Sequence, residues 1–468
     1  MSSTLQPRAV AAPAAREGGG LWTAVLRGLV LPAGDAVLGQ RMMRRLRHLE
    51  KAQWWDPDRV AAARDRALAE LVRVAYAEVP FYRDHLDAAG VDPRAIATPR
   101  DLLRIPVVTK AMLRGRYPDG TTRATGQRTF EACSSGSTGV NFCVREDMET
   151  AGWYRASFLL ALEWSGWRIG EPHLQTGITP ERRSERAWKD RILRCRYASA
   201  YDMTDAHLDR CLETIERERL GYVFGYPASL YYLARRAAAA GWNLPLRSAV
   251  TWGDMLHPHW RREIEAVFRT RVYDTYGCGE GFQIAAQCGE GAVYHVHALD
   301  VVVHYVDEQG NEVPEGRPGH VAITRLHPGP MPMIRYLLGD SAVRMPARRC
   351  ACGRGFELMQ GIEGRSGDVV VTPSGNRLIV HFFTGVLEHF RSIATFQVIQ
   401  EESDRLLVRI VPGAGFDDSV PPAVRERLRD RGVTGMRIEV EVTDAIERPK
   451  SNKHRFILSR VPAEGSRA

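Results

Sequence analysis

Apolar residues recur with the period of an α-helix in the first part of the chain. Between residues 64 and 76 they alternate with Arg66, Glu70 and Arg73, so that one face is hydrophobic and the other charged. A proline at position 80 follows, and proline is typical of the end of a helix. The chain from about 40 to 90 is therefore predicted to be helical.

After residue 145, helical periods alternate with short extended runs. The helical patterns cover 145–164, 206–219, 230–240 and 259–268, and the extended runs cover 221–227, 248–252 and 272–274. This alternation is typical of an α/β domain with parallel strands, because a helix must cross the sheet between one parallel strand and the next.

The pattern changes twice more. From about 292 to 345 the helical periods vanish, and short runs at 293–297, 301–306, 319–324 and 333–336 predict a β-rich region. Glycines and charges at 361–368 predict a hinge, followed by a hairpin, a helix and a strand. We therefore predict an α/β fold. It has a disordered tail (1–20), a large N-terminal α/β domain of several subdomains (21–364, β-rich at about 285–360) and a small mobile C-terminal α+β domain (365–468).

Charge and cysteine content narrow the class of protein. The net charge of the 468-residue chain is +8, but opposite charges are interspersed, and lysine occurs at only five positions. No long basic block exists, so the sequence predicts no nucleic-acid partner. Eight cysteines in a chain of this size do not form a disulfide scaffold, and four are scattered, which indicates a reducing compartment and a cytoplasmic location.

Residues 21–38 are apolar enough to raise the question of a membrane segment. Arg27 and Asp35 interrupt the run, and Pro32-Ala33-Gly34 is expected to break it. The sequence therefore predicts no transmembrane segment. A helix lying on a membrane surface, with weak association, stays open as an alternative.

One stretch has the composition of a phosphate cradle. Ser134-Ser135-Gly136-Ser137-Thr138-Gly139 follows an extended run, and its small residues let several backbone N–H groups converge on one anion. It lacks the Gly-Lys-Ser/Thr ending of a P-loop NTPase. Taken alone, the stretch is equally compatible with a flexible linker.

A second constellation is Cys288-x6-His295 followed by Cys350-x-Cys352. Three thiolates and one imidazole suit tetrahedral Zn²⁺, and a closed set of four ligands is typical of a structural site. His297 competes with His295, because strand alternation puts both on one face. A buried group without metal is the alternative.

Five segments follow one another in a set order: Ser134–Gly139, Tyr276-Gly277-Cys278-Gly279-Glu280, Arg335-Tyr336-Leu337-Leu338-Gly339-Asp340, Gly364-Arg365-Ser366-Gly367-Asp368 and Lys450-Ser451-Asn452-Lys453-His454-Arg455. In this order they resemble the core motifs of the adenylate-forming (acyl-adenylate synthetase) superfamily. The element Cys350–Arg354 resembles the phenylacetate–CoA ligase branch, and Pro80-Phe81-Tyr82 and Lys453–Phe456 resemble its CapK-like members, which are associated with capsule or surface-polysaccharide clusters.

The resemblance implies a role for each matching residue. Ser134, Ser135, Gly136, Ser137, Thr138 and Gly139 would hold the β- and γ-phosphates of ATP, although Val140-Asn141 replaces the lysine that often follows. Tyr276 and Gly277 would contact adenine, Asp254 would line its pocket, Glu280 would carry Mg²⁺ and Asp340 would bind the ribose. Arg365 would reach the ribose or α-phosphate, Asp368 would be the hinge of the C-terminal lid, and Lys453 would bridge the carboxylate and the α-phosphate.

The implied activity is ATP-dependent activation of a carboxylic acid as acyl-AMP, followed by transfer to CoA. Residues near Trp153, Tyr226, Trp252 and Phe282 would line the acid pocket. Two alternatives stay open: an adenylating ligase that passes the acyl group to an amine, a carrier protein or a sugar, and a nucleotide-binding scaffold without turnover. The missing post-loop lysine and Asn452 favour the scaffold, whereas Glu280, Asp340 and Lys453 oppose it.

Overall fold

A computed structural model describes most of the chain. The described residues are 20–134, 142–177, 184–200, 204–346, 348–365, 369–373, 377–379, 383, 386–387, 389–390, 392–446 and 456–461. They form two compact units, each assembled from separate stretches. Unit one comprises Met1–Ala62, Asp147–Asp300 and Arg348–Leu358, and unit two comprises Ala63–Glu146, Val301–Ala347 and Met359–Ala468. The division predicted at residue 364 stays a prediction.

The helices of the described residues concentrate before residue 270. They are α1 (Leu21–Val25), a π-helical turn (Leu26–Val30), α2 (Leu31–Leu38), α3 (Met42–Ala52), α4 (Pro57–Glu78), α5 (Pro80–Ala88), a 3₁₀ turn (Pro93–Ala95), α6 (Pro99–Leu102), α7 (Lys110–Arg116), α8 (Met148–Glu163), α9 (Ser184–Ile192), α10 (Asp205–Glu218), α11 (Pro227–Ala239), α12 (Pro258–Phe268) and α13 (Val420–Asp430).

The strands begin at residue 129 and dominate after residue 270. They are β1 (Thr129–Ser134), β2 (Phe142–Asp147), β3 (His173–Gly177), β4 (Cys195–Ser199), β5 (Tyr222–Gly225), β6 (Ser248–Thr251), β7 (Val272–Cys278), β8 (Phe282–Gln287), β9 (Tyr294–Val296), β10 (Val301–Val306), β11 (Pro318–Arg325), β12 (Tyr336–Arg344), β13 (Leu358–Arg365), β14 (Val369–Val371), β15 (Arg377–Ile379), β16 (Ile393–Glu402), β17 (Arg405–Pro412), β18 (Arg437–Val442) and β19 (Ile457–Ser459).

Unit one contains the predicted parallel sheet. Its strands lie in the order β9-β8-β7-β6-β5-β3-β4, with parallel pairing from β7 through β4 and antiparallel pairing of β7, β8 and β9. Apolar residues of α8 and of the strands, including Leu162, Phe224 and Val250, pack in one buried cluster. Burial on both faces explains why β5 and β6 are short runs buried at every position rather than alternating ones.

Unit two is rich in antiparallel strands. β10, β11, β12 and β13 pair antiparallel in that order, β1 pairs with β2, and β14 pairs with β15. A further sheet, β18-β17-β16-β19, packs its apolar face against α13 around Phe396, Leu406 and Val424. The predicted α/β class with a β-rich part and a C-terminal sheet is thus confirmed.

Several predicted elements differ from the structure. Pro32 does not break the apolar run, because it lies in the first turn of α2, directly after a π-helical turn, where no intrahelical bond needs its missing N–H. Residues 145–147 extend β2, and the Asp147 carboxylate caps α8 by accepting from the Thr150 N–H at 2.8 Å. The predicted hinge at 361–368 is in part strand, since β13 continues to Arg365.

Cys143 on β2 is disulfide-bonded, and six other cysteines form no disulfide.

Arg335 holds several parts of unit two together. Its side chain is 1% exposed, and its guanidinium donates to the backbone oxygens of Leu103 at 3.1 Å, Ile105 and Gly310 at 2.6 Å. Burial lowers its pKa to about 10. A buried charge of this kind is stable only because its donors meet fixed acceptors in a fork geometry.

We expect Arg335→Lys to lower the free energy of unfolding by about 2–4 kcal/mol, since a single ammonium cannot reach all three carbonyls and leaves buried acceptors without donors. The measurement is urea unfolding of the full chain. Arg317→Lys, at an exposed position of the same unit, is the control and should change little. Equal midpoints for the two variants would contradict the role of Arg335.

Candidate functional site

In unit one, residues predicted to contact adenine or to line the acid pocket lie at the carboxyl ends of three neighbouring parallel strands. Tyr226 directly follows β5, Trp252-Gly253-Asp254 directly follows β6, and Tyr276 lies near the end of β7. Because parallel strands end at one edge of the sheet, these positions are brought together there. Ligands in open α/β sheets bind at this edge, which makes it the candidate site of unit one.

The turn after β6 packs closely on Tyr226. Gly253 has a φ of +76°, and a side chain there would approach the ring of Tyr226 to 2.7 Å, so glycine is required. Asp254 is exposed, and its carboxylate accepts from the N–H of Met255 at 2.9 Å. The aromatic ring of Trp252 lies 5.4 Å from that of Phe158. The exposed Asp254 therefore directly follows a turn that packs against the aromatic ring of Tyr226.

The hairpin of β7 and β8 holds Tyr276, Gly277 and Glu280. Tyr276 and Glu280 are buried, at 6% and 5% exposure. The register shifts between Tyr276 and Gly277, and a Cβ at Gly277 would come within 2.5 Å of the Phe282 backbone oxygen. Only glycine permits this approach, which sets the direction of the turn that carries Glu280.

A buried carboxylate stabilises this edge of the sheet, and the sequence analysis did not identify it. Asp274, fully buried on β7, accepts from the Thr251 hydroxyl at 2.5 Å and from the Tyr294 hydroxyl at 2.6 Å. Burial raises its pKa. The bonds tie β6 and β9 to the strand that carries Tyr276. An acidic residue inside an otherwise apolar strand was the signal that could have found it.

In unit two, Asp340 lies opposite Arg365. The predicted extended run ends at residue 336, but Asp340 lies within β12, where its backbone pairs with that of Arg365 on β13. Antiparallel pairing explains the difference, because it continues the strand through Gly339, which has a φ of +83°. The Arg365 side chain lies outside the described residues.

The base of the phosphate loop is a hairpin of unit two. β1 ends at Ser134 and β2 begins at Phe142. Ser135–Gly139, Asp368 and Lys453 lie outside the described residues, as does the side chain of Ser134. The β2 strand is anchored by an ion pair between Glu146 and Arg325, 2.6 Å long with both side chains 4% exposed.

The Cys/His residues converge in unit one. The ligand atoms of Cys288, His295, Cys350 and Cys352 all lie within 4.8 Å of one another. The Cys288 and Cys350 sulfurs are 3.7 Å apart, and the Cys352 sulfur is 3.3 Å from Nε2 of His295. Two sulfurs on one tetrahedral Zn²⁺ stand about 3.8 Å apart when each Zn–S bond is about 2.3 Å, so the geometry fits zinc.

His297, the competing ligand, is not part of this group. Its ring stacks on Trp164 at 5.3 Å, and burial lowers its pKa to about 3. Burial also lowers the pKa of His295 to about 4, which leaves a neutral imidazole, and raises the pKa of Cys288 to about 12. A buried thiolate is unfavourable without a nearby cation, and a divalent ion would reverse that preference.

Side chains next to the Cys/His group, which the sequence analysis did not identify, hold the segment 348–358 in place. The guanidinium of Arg354 lies 4.8 Å from the rings of both Trp54 and Trp164 and donates to the Gln53 side chain at 2.9 Å. Trp164 donates to the same Gln53 oxygen at 2.8 Å. Arg354 belongs to the Cys350–Arg354 motif and could have been found from it. Gln53 lies about 300 residues earlier in the chain, and no sequence motif identifies it.

Two protein families match parts of this chain. The AMP-binding enzyme family matches residues 195–333, which include β4–β11, and the CapK C-terminal domain family matches residues 370–460. A phenylacetate-coenzyme A ligase of Thermus thermophilus is 25% identical over 324 residues, 67% of this chain and 72% of the relative. A phenylacetate-coenzyme A ligase of Escherichia coli is 23% identical over 342 residues, 67% of this chain and 73% of the relative.

Among solved structures, a 2-hydroxyisobutyryl-CoA ligase in complex with R3-HIB-AMP has a similar fold. The TM-score is 0.70 at 20% identity, over 88% of this chain and 91% of that chain. The order of motifs, the two family matches and this fold agree. Residues 195–333 thus match the AMP-binding enzyme family and residues 370–460 the CapK C-terminal domain family, and over two thirds of its length the chain is similar to phenylacetate–CoA ligases.

Proposed function

We propose that this protein is an AMP-forming acid–CoA ligase. A carboxylate oxygen attacks the α-phosphorus of ATP, the bond between the α-phosphorus and the bridging oxygen breaks, and pyrophosphate leaves with that electron pair. The thiolate of CoA then attacks the acyl carbon, and AMP leaves as a phosphate anion. Both steps bring anions together, so the protein acts mainly by positioning groups and neutralising charge.

One observation carries the proposal: the residues after β5, β6 and within β7 meet at one edge of a parallel sheet inside the region that matches the AMP-binding family. At that edge Tyr276 offers an aromatic face to adenine. Asp254, an exposed carboxylate, follows β6 at the same edge and is proposed to contact the adenine. Trp153, Tyr226 and Trp252 are half-buried and favour a bulky or aromatic acid as the small-molecule substrate, whereas Phe282 is 1% exposed and offers it no surface.

The remaining nucleotide contacts are proposed for groups spread along the chain. Backbone N–H groups and hydroxyls of Ser134–Gly139 hold the β- and γ-phosphates. Asp340 accepts from the ribose hydroxyls, and the pairing of its backbone with that of Arg365 keeps an arginine at the neighbouring position. Glu280 holds Mg²⁺, which neutralises phosphate charge when it is bound. Asp368 is the hinge of the C-terminal domain, and the reaction takes place in the cytoplasm.

The acyl acceptor needs its own test. ATP–pyrophosphate exchange is measured with aryl, arylacetic, fatty, amino and sugar acids, and CoA or candidate amines and sugars are then added to the active mixture. Exchange with one acid class and thioester formation with CoA support the proposal. Transfer only to an amine, a carrier protein or a sugar overturns the CoA step, and ATP binding without any exchange favours the scaffold.

Lys453→Ala is expected to lower ATP–pyrophosphate exchange by at least about a hundredfold, because the lysine neutralises charge on both reacting anions. Thioester formation from added acyl-AMP and CoA should persist in this variant, since the lysine serves the first step. Lys450→Ala is the matched control and should retain exchange. Exchange at the wild-type rate in Lys453→Ala would refute the assignment.

Glu280→Gln is expected to raise the Mg²⁺ concentration that gives half-maximal exchange by about tenfold, because an amide oxygen is a weaker ligand for a hard cation. Glu315→Gln, at an exposed position, serves as the control. An unchanged Mg²⁺ dependence would remove Glu280 from the proposed metal site.

The Cys/His group is proposed to hold one structural Zn²⁺ through Cys288, His295, Cys350 and Cys352. A closed set of four ligands leaves no position for substrate, so the ion would fasten the segment 348–358 to the strand β9 rather than take part in the reaction.

We expect about one zinc per chain in the purified protein by elemental analysis, and loss of the metal with a lower Tm in Cys352→Ser. Cys211→Ser, at a buried cysteine of the same unit that forms no disulfide, should keep both the zinc and the Tm. Metal-free protein from zinc-supplemented cultures would contradict the proposal.

A further inference from the structure

The helix formed by residues 21–38 exposes an apolar face. Its exposed side chains are all apolar, with glycine at the remaining exposed position, and they recur with a helical period. The large ones are strongly exposed: 84% for Leu21, 67% for Leu29 and 86% for Val37. A helix at the surface of a water-soluble protein normally presents charged residues there.

The polar residues of the same helix point inward. Arg27 forms ion pairs with Glu163 and Glu50, which lie on other helices of unit one. Thr23 is buried, and the buried Asp35 carboxylate accepts from the backbone N–H of Met43. The usual orientation of an amphipathic helix is thus inverted, with the charges satisfied inside unit one and the apolar side turned outward.

Aromatic and basic residues border this face. Trp22 donates to the backbone oxygen of Ile192 at 2.9 Å, which brings the end of α9 against the helix. Trp188, four residues earlier and hence on the same side of α9, is 64% exposed. On α3, Arg47 donates to the Arg27 backbone oxygen at 2.9 Å, which places α3 alongside. Arg44, Arg47 and Lys51 of α3 are all exposed.

We propose that unit one docks on an anionic phospholipid bilayer through this helix. The apolar face of residues 21–38 enters the boundary between headgroups and acyl chains, Trp188 lies at the headgroup level, and the cations of α3 contact lipid phosphates. Tryptophan favours this interface, and lysine and arginine near an anionic surface add binding energy. Charge complementarity therefore selects a bilayer as the occupant of the face.

The helix lies along the surface rather than across the bilayer. By length and composition it is sufficient for a membrane span, and 17% of it is buried. However, a crossing helix would have to pull Arg27 away from Glu163 and Glu50, which would remove an ion-pair partner from the buried Glu163 carboxylate. The bonds on its inner side therefore keep it attached to unit one.

The test is co-flotation of the full chain with vesicles of phosphatidylcholine alone or mixed with phosphatidylglycerol. We expect flotation with the mixed vesicles, and a decrease of about tenfold in the partition coefficient for Leu29→Asp and for Val37→Asp. Val442→Asp alters an apolar residue that is 47% exposed in unit two, and it should float like the wild type.

A second arm tests the basic border. Arg44→Gln and Lys51→Gln should each reduce binding to the mixed vesicles by about fivefold, with a loss that grows with ionic strength, whereas Arg317→Gln should have no effect. Absence of flotation overturns the proposal, as does an equal loss for Val442→Asp. A dimer in light scattering that Leu29→Asp dissociates, without flotation, assigns the face to a second copy instead.

Discussion

The buried carboxylate of Asp274 is the constraint on which the site of unit one depends. A carboxyl group deep in a sheet is unfavourable unless both of its oxygens have donors, and here the hydroxyls of Thr251 and Tyr294 supply them. Because these donors come from the two strands β6 and β9, the group fixes their positions relative to β7. Tyr276 is two residues farther along β7, so its position depends on the hydrogen bonds that Thr251 and Tyr294 donate to Asp274.

The alternation of helical and extended periods predicted the parallel sheet of unit one, and the loss of helical period predicted the β-rich strands. These predictions were confirmed because periodicity reflects burial, which each segment carries in its own residues. The predicted break at Pro32 was wrong, since a preceding π-helical turn lets the helix continue. Asp340 on a strand was missed because its conformation depends on pairing with β13, twenty-five residues away.

Site prediction had a similar limit. The spacing of Cys288, His295, Cys350 and Cys352 sufficed to predict their convergence, because few other arrangements of thiols and imidazole are useful. His297, two residues farther along the chain, competed with His295 because strand alternation puts both on one face. The positions of the ligand atoms separate them, since the Cys/His group contains His295 and not His297. The supporting roles of Gln53 and Arg354 depend on contacts between distant stretches, and such contacts leave no local pattern.

Unit one has an order of assembly that follows from its discontinuous chain. Its residues stop at Asp300 and resume at Arg348, and the later stretch contributes two of the four Cys/His side chains. During synthesis on a ribosome, the first 300 residues therefore emerge before the segment that completes them. Closing the intervening loop costs conformational entropy that rises only slowly with its length. Nascent chains arrested before residue 358 would expose the Trp54 and Trp164 faces that Arg354 covers, and chaperones bind such surfaces.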